Sequence, residues 1–261
     1  MQPLHQFLQT KADFYNHPNF IEDDPITIPH QFTKKQDIEI AGLFAAILAW
    51  GNRKSIINSC NKLMQCMDNE PYNFIMQQSL QQHKHRFNTF VHRTFNEMDA
   101  WHILNFLQHH YAHKKNKSLE NAFTINVANT DDTIEKGLIG FHHYVFSFNA
   151  YAMHEVHCKK HIATPQKKSA CKRLNMYLRW MVRKDKKGVD FGLWNTILPS
   201  QLIIPIDVHV GRVAKKLGIL QRTQNDWQAA VELTQYLKKI NPTDPVLFDY
   251  ALFGLGVVEK Y

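Results

Sequence analysis

The segments KRLNMYLRWM, residues 172–181, and IPIDVHVGRVAKKLG, residues 204–218, decide the predicted fold of this 261-residue chain. The first segment has the apolar spacing of an amphipathic helix. Its predicted core side comprises Leu174, Tyr177, Leu178 and Met181. In the second segment, Asp207 can cap a helix that Gly218 ends in a left-handed conformation. The two segments therefore predict one helix that begins at a lysine and another that an aspartate caps.

The opposite side of the first helix is predicted to be an exposed cationic face. It comprises Lys172, Met176, Arg179 and Arg183. Because Lys172 lies outside the core stripe, it is expected to reach solvent. On the pattern alone, an ordinary solvated basic face is favoured over a functional one.

Positive charge is concentrated around these two segments. Between Lys159 and Arg222 there are 15 lysines and arginines against three aspartates, a local excess of +12 in a chain whose net charge is +8. A concentrated excess of this kind fits the footprint of a polyanion, because each neutralised phosphate releases counterions. Nucleic acid is therefore one predicted partner, with solvated helix faces as the alternative.

The rest of the chain predicts an all-α protein, because apolar residues recur at helical spacing and no run of alternating β-branched residues occurs. The predicted helices cover 37–51, 56–67, 72–80, 98–111, 133–148, 226–240 and 246–256. Thr33 and Gln36 form a possible capping box before the first of these, which is apolar nearly all round. HKKNKS, residues 113–118, is expected to connect two lobes at the surface.

Several classes of protein are disfavoured by composition. The N-terminal residues MQPLHQFLQT lack the pattern of a signal peptide, and the longest apolar run, 38–50, is too short to span a bilayer. The four cysteines match neither a disulfide framework nor a CxxC pattern for zinc or iron–sulfur clusters. We therefore expect a soluble, cytoplasmic protein with reduced thiols and without a cofactor.

A histidine-rich stretch raises the question of a metal site. It contains His154, His157, Cys158 and His161, at the spacing of one helix face. The HExxH spacing of zinc proteases is absent, since only two residues separate the histidines of HEVH, and no partner ligands are evident elsewhere in the sequence. A solvent-facing or phosphate-facing surface is the favoured interpretation, and no metal site is predicted.

A lysine and an ionised aspartate in a basic surface suit one kind of chemistry on DNA. The lysine amine can attack the anomeric carbon of a nucleotide, expel the base and leave a Schiff base. The aspartate can stabilise the developing oxocarbenium charge, since a carboxylate at a helix N-terminus stays ionised. Lys168, Arg173 and Arg179 are expected to favour the neutral amine and to hold phosphates.

At these residues the chain resembles the helix-hairpin-helix DNA glycosylases, and most of all their archaeal 8-oxoguanine branch and a related bacterial family. The resemblance covers 169–220 and, more loosely, 38–67. It implies an all-α, two-lobed helical fold with a cleft, lobes of 30–135 and 136–240, and 1–29 and 241–261 packed back onto the core. It also implies a monomeric, nucleoid-associated DNA glycosylase and AP lyase that excises an oxidised purine, with 8-oxoguanine favoured.

The resemblance assigns roles to particular residues. Lys172 takes the place of the Schiff-base lysine and Asp207 that of the essential aspartate, while Met176 and Phe248 are implied to contact the flipped base. The implied DNA contacts are Lys167, Lys168, Ser169, Arg173, Arg179, His209, Arg212, Asn52 and Arg53. No metal or cofactor is implied, because the four-cysteine cluster of the iron–sulfur glycosylases is absent.

Two departures from the family pattern keep alternatives open. PQKKSAC, residues 165–171, lacks the glycines that usually precede the lysine, and the 35 residues between Lys172 and Asp207 imply an insertion around 184–194. A catalytically inactive DNA-binding protein that retains the fold is therefore the main alternative. A histidine-rich metal protein is the third hypothesis.

Overall fold

Helices make up most of the residues that the structure describes, which are 2–77, 80–113, 117–147 and 157–261 of a computed structural model. The α-helices in these ranges are α1 (Gln2–Tyr15), α2 (Lys35–Leu48), α3 (Arg53–Cys66), α4 (Pro71–Ile75), α5 (Glu97–Ala112), α6 (Glu120–Thr124), α7 (Glu135–Ser147), α8 (Lys172–Val182), α9 (Val208–Lys216), α10 (Trp227–Lys238) and α11 (Phe248–Phe253). A two-stranded antiparallel hairpin joins β1 (Val91–His92) to β2 (Phe95–Asn96). The predicted all-α class is confirmed.

The chain forms two units, each built from separate stretches of sequence. The first comprises 1–22, 127–138 and 164–261, and the second comprises 23–126 and 139–163. The chain passes from one unit to the other after residues 22, 126, 138 and 163. The predicted lobe boundary at 135–136 and the predicted connection at 113–118 fall at none of these positions. Residues 114–116 of that connection lie outside the described residues.

The first unit unites the two ends of the chain. Helix α1 packs against α11, and Lys11 Nζ and the Tyr15 hydroxyl each lie 2.7 Å from the same Glu259 carboxylate oxygen. Periodicity within one segment cannot reveal such a pairing, because its partners lie more than two hundred residues apart in the sequence.

Helix α2 forms the centre of the second unit. Every residue from Asp37 to Leu48 is buried, as its apolar sequence predicts. The predicted capping box of Thr33 and Gln36 is wrong: the helix begins at Lys35 after Lys34, which makes no side-chain capping bond. Asp37 lies within the helix, and its Oδ1 accepts the N–H of Tyr72 at 2.8 Å.

None of the helices in the described ranges combines the length and the apolar character that crossing a bilayer requires. All four cysteines are free thiols, as predicted. Burial raises the pKa of the Cys60 and Cys171 thiols to about 12, which keeps both protonated at neutral pH.

Candidate functional site

The turn before α8 takes its shape without glycine. Lys168 and Cys171 have φ angles of 59° and 49°, in the left-handed region that glycine usually occupies. Hydrogen bonds hold this conformation: the Trp227 N–H donates to the Lys168 carbonyl at 3.2 Å, and the Cys171 N–H donates to Ser169 Oγ at 3.2 Å. A glycine-free sequence therefore still makes a tight turn that ends at Lys172.

Lys172 and Asp207 lie together in the first unit. Lys172 is the first residue of α8, and its Nζ is 3.6 Å from Asp207 Oδ2. Their side chains are 28% and 22% exposed, so both are accessible to a molecule from solution. The separation exceeds that of a good hydrogen bond, and a partly exposed pair of this kind adds little stability.

Asp207 uses its second carboxylate oxygen as the cap of α9. Its Oδ1 accepts the N–H groups of His209 at 2.9 Å and Val210 at 3.0 Å, as the sequence predicts. The predicted left-handed cap at the other end is also confirmed, since Gly218 has a φ of 71°. The capping bonds fix the carboxylate in orientation while Oδ2 faces the lysine amine.

A third ionisable group, Asp249 in the first turn of α11, influences this pair. It is 5% exposed and forms an ion pair with Arg179. Desolvation and, to a lesser extent, the charge of Asp207 raise the pKa of Asp249 to about 6, against the opposing effects of Arg179 and Lys172. Asp249 was not predicted as a site residue, although an acidic residue in the apolar run VLFDYALFG was a signal that something compensates it.

The predicted exposed cationic face of α8 is wrong for Met176 and for its two arginines, all of which are buried. Arg179 and Arg183 are 3% and 2% exposed. Arg179 Nε lies 3.3 Å from Asp190 Oδ1, and Arg183 Nη1 lies 3.1 Å from the other oxygen of the same carboxylate. Arg183 Nε also donates to Asp244 Oδ2 at 2.9 Å. The predicted phosphate contact of Arg179 is therefore corrected, because its guanidinium is buried among carboxylates.

Asp244 forms an ion pair with Arg183. Its side chain makes no capping bond, and a 3-10 turn, Pro245–Leu247, precedes α11. Tyr250 is fully buried, and its hydroxyl donates to Asp190 Oδ2 at 2.9 Å. These contacts complete a buried network of alternating charges.

The residues implied to contact a base are interior residues. Met176 is 7% exposed and Phe248 is fully buried. Neither offers a surface on which an extruded base can stack in this conformation, so their role in a base pocket stays a prediction. Arg173 is half-buried, and desolvation lowers the pKa of its guanidinium.

Other predicted phosphate contacts of the first unit lie at the surface. Lys167, Lys168 and Arg212 are exposed, whereas Ser169 and His209 are half-buried. Arg212 Nη2 donates to the Gly256 carbonyl at 2.8 Å, which holds its side chain against the residues after α11. Ser169 Oγ accepts the Cys171 N–H and can still donate its own hydrogen.

Asn52 and Arg53 belong to the second unit. Asn52 caps α3 through a 3.3 Å bond from the Ser55 N–H, and Arg53 is the first residue of that helix. These two residues therefore form the start of a helix. An open polar groove of about 400 Å³ lies beside it, lined by Asn52, Lys54, Ser55, Asn58, Ser59, Lys62 and Val91.

The histidine stretch has a partner that the sequence did not reveal. His161 is 3% exposed, which corrects the expected surface position, and Asp99 lies beside both His157 and His161. His154 lies outside the described residues. Asp99 went unrecognised because it precedes His157 by 58 residues.

Comparison with known proteins identifies one relationship. No curated protein matches the chain, and no solved structure matches it. A family model described as a protein of unknown function, DUF2400, matches residues 24–258. That match spans most of both units, and the chain therefore belongs to the DUF2400 family.

Proposed function

We propose that this protein is a DNA glycosylase with AP lyase activity, in which Lys172 is the nucleophile and Asp207 the electrostatic stabiliser. The observation that carries the proposal is the 3.6 Å approach of Lys172 Nζ to Asp207 Oδ2 in a partly exposed site. The main alternative, an inactive protein that retains the fold, accounts for Asp207 as a helix cap but assigns no role to the nearby amine of Lys172.

The proposed reaction begins when Lys172, having lost a proton, attacks C1′ of an extruded nucleotide. The new C–N bond forms as the glycosidic bond breaks, and the departing base takes the bonding electrons and then a proton. Asp207 Oδ2 stabilises the positive charge on the sugar during departure. Its Oδ1 accepts two backbone N–H groups, which hold the carboxylate in the orientation that this role needs.

Opening of the sugar ring then gives a Schiff base between Lys172 and C1′. Loss of a proton from C2′ allows elimination of the 3′ phosphate, which nicks the strand, and hydrolysis of the imine returns the free amine. The resemblance to the archaeal 8-oxoguanine branch makes a duplex containing 8-oxoguanine the first substrate to test. The exposed Lys167 and Lys168 are proposed to hold the phosphates beside the nucleotide.

Borohydride trapping tests this chemistry, because reduction turns the Schiff base into a stable covalent complex. The wild-type protein is expected to be trapped on an 8-oxoguanine duplex or on an abasic duplex. Lys172→Gln and Lys172→Arg are expected to give no trapped complex, and Lys172→Arg retains the positive charge beside Asp207.

Lys239→Gln is the matched control, since it removes an exposed amine of the same unit that lies outside the proposed site. It is expected to be trapped as the wild-type protein is. Trapping that persists in both Lys172 variants would refute the assignment. Salt-dependent duplex binding without trapping or base release on any lesion would instead indicate the inactive DNA-binding protein.

A further inference from the structure

We propose that Asp99, His157 and His161 in the second unit form a binding site for a divalent transition-metal ion of the zinc type. One ligand atom from each of the three residues can be chosen so that all lie within 4.8 Å of one another. A carboxylate and two imidazoles make up the three-ligand set of many catalytic zinc sites, which leave a further position open. The proposal concerns residues that the proposed glycosylase reaction does not use.

The separations of these atoms suit a shared ion. His157 Nδ1 lies 2.8 Å from Asp99 Oδ1, and His161 Nε2 lies 3.4 Å from Asp99 Oδ2. Zinc–ligand bonds of about 2.0–2.1 Å in tetrahedral geometry place neighbouring ligand atoms roughly 3.3 Å apart. Small side-chain rotations are therefore enough to place three donors around one ion.

The surroundings hold two of the three ligands in place. The Asp99 side chain is fully buried, and its Oδ2 accepts the Asn96 N–H at 2.9 Å. The His161 ring is buried and packs edge-on against Phe95, with ring centroids 5.0 Å apart. Such outer contacts orient metal ligands in known sites.

His157 provides the route of entry, since its side chain is 38% exposed. An ion arriving from solution would bind the lone pairs of His157 Nδ1 and His161 Nε2 once the proton on each of these nitrogens has moved to the other ring nitrogen or been released to solvent. Asp99 contributes the negative charge that partly neutralises the ion. Hydrogen bonds from His161 and His157, together with the Asn96 N–H, overcome desolvation and lower the pKa of Asp99.

The competing interpretation is a hydrogen-bonded network without metal, in which both imidazoles donate to Asp99 and His161 Nε2 also donates to the Thr94 carbonyl at 3.3 Å. Lys160 distinguishes the two, because its exposed ammonium lies 2.8 Å from His157 Nε2. A nearby positive charge opposes the binding of a dication but is harmless to a neutral network. Replacing Lys160 should therefore strengthen metal binding if the site is real.

Titration of the full-length protein with Zn²⁺ and with Co²⁺ tests the proposal by calorimetry and by the visible spectrum of four-coordinate Co²⁺. We expect one ion per chain and a rise in the melting temperature with Zn²⁺. His157→Ala is expected to weaken binding by more than about tenfold and to abolish the Co²⁺ bands. His157 is the ligand of choice because it is the most exposed of the three, which limits the effect on folding.

Two further variants complete the design. His113→Ala, an exposed histidine just after α5, should bind both ions as the wild type does. Lys160→Met should tighten binding by roughly threefold to tenfold, as removal of one screened charge predicts. The proposal is overturned if no stoichiometric binding occurs, if His157→Ala and His113→Ala lose affinity equally, or if Lys160→Met leaves the affinity unchanged.

Discussion

The two carboxylate oxygens of Asp207 have different tasks. Oδ1 caps α9, and Oδ2 faces Lys172 at 3.6 Å. The sequence predicted that Asp207 caps one helix and that Lys172 lies outside the core side of another. Both predictions rest on local patterns, a Pro-Ile-Asp start and an amphipathic spacing. The approach of Lys172 to Asp207 across 35 residues came from the family resemblance, since no local pattern specifies it.

Asp207→Asn separates these two tasks. Asparagine is as good a helix cap as aspartate, so folding should be nearly unchanged, whereas the charge that stabilises the sugar cation is lost. We expect single-turnover base release to slow by roughly 10²–10³-fold with a much smaller change in duplex affinity. Equal losses in release and binding would show that Asp207 holds DNA rather than assists departure.

Asp249 makes the stability of the folded protein depend on pH. Desolvation raises its pKa to about 6, above the ordinary aspartate value, so the folded protein binds this proton more tightly than the unfolded chain. The contribution of Asp249 to stability therefore falls as the pH rises from about 4 to about 7.

Asp249→Asn should abolish that contribution. Below pH 4 the two proteins carry the same charge at this position, and above pH 6 only the wild type contains a buried carboxylate. We expect the melting temperature of the variant, relative to the wild type, to increase between pH 4 and pH 7. A relative decrease would mean that Arg179 stabilises the charged form and that the pKa is low.

At the scale of elements, helix existence was predictable and the partners of helix faces were not. The apolar spacing of α8 predicted its core side correctly. The spacing could not show that Arg179 and Arg183 are buried, because Asp190 and Asp249 reach them from a loop and from α11. A charged residue is predicted to be exposed unless a partner for its charge is known. For Arg179 one such partner is Asp249, 70 residues later in the sequence.

The start of α9 depends on a close approach at Gly211. A Cβ there would lie 2.6 Å from Asn225 Nδ2, which donates to the Asp207 carbonyl at 3.0 Å. Lys215 Nζ holds the same amide through a 2.9 Å bond to Asn225 Oδ1. The amide therefore cannot turn away without losing two hydrogen bonds.

Gly211→Ala is expected to destabilise the protein by about 1–3 kcal/mol in chemical denaturation, although alanine is the better helix former. It should also slow base release, because the shift occurs one turn from Asp207. The double variant with Asn225→Ala should be less destabilised than the sum of the single variants. Additive losses in stability would contradict the proposed steric clash between a Cβ at position 211 and the Asn225 amide.

At the scale of the whole molecule, the basic segment is less basic at its surface than its sequence suggests. Arg179 and Arg183 are buried in ion pairs, and Arg222 is paired with Asp226 at 2.6 Å. The exposed cations that remain there include Lys167, Lys168, Lys184, Lys186, Lys187, Arg212 and Lys216. The composition predicted the excess correctly but not which charges are neutralised internally.

Duplex binding should therefore depend on salt through the exposed lysines. We expect log Kd to vary linearly with the logarithm of the salt concentration. The double variant Lys167→Gln, Lys168→Gln should reduce the slope of this line by about two, because each phosphate that is no longer neutralised lowers it by roughly 0.9. Lys239→Gln, an exposed lysine outside the segment, should leave the slope unchanged. A slope that responds equally to both changes would argue against a localised interface.

Mapping the covalent attachment site tests the central proposal most directly. The wild-type protein reacts with an abasic or 8-oxoguanine duplex, and borohydride reduces the resulting Schiff base. The covalent complex is then digested with protease and nuclease and analysed by mass spectrometry. We predict a sugar-derived adduct on Lys172 and on no other lysine. An adduct on Lys167, Lys168 or another lysine, with Lys172 unmodified, would contradict the assignment of the nucleophile.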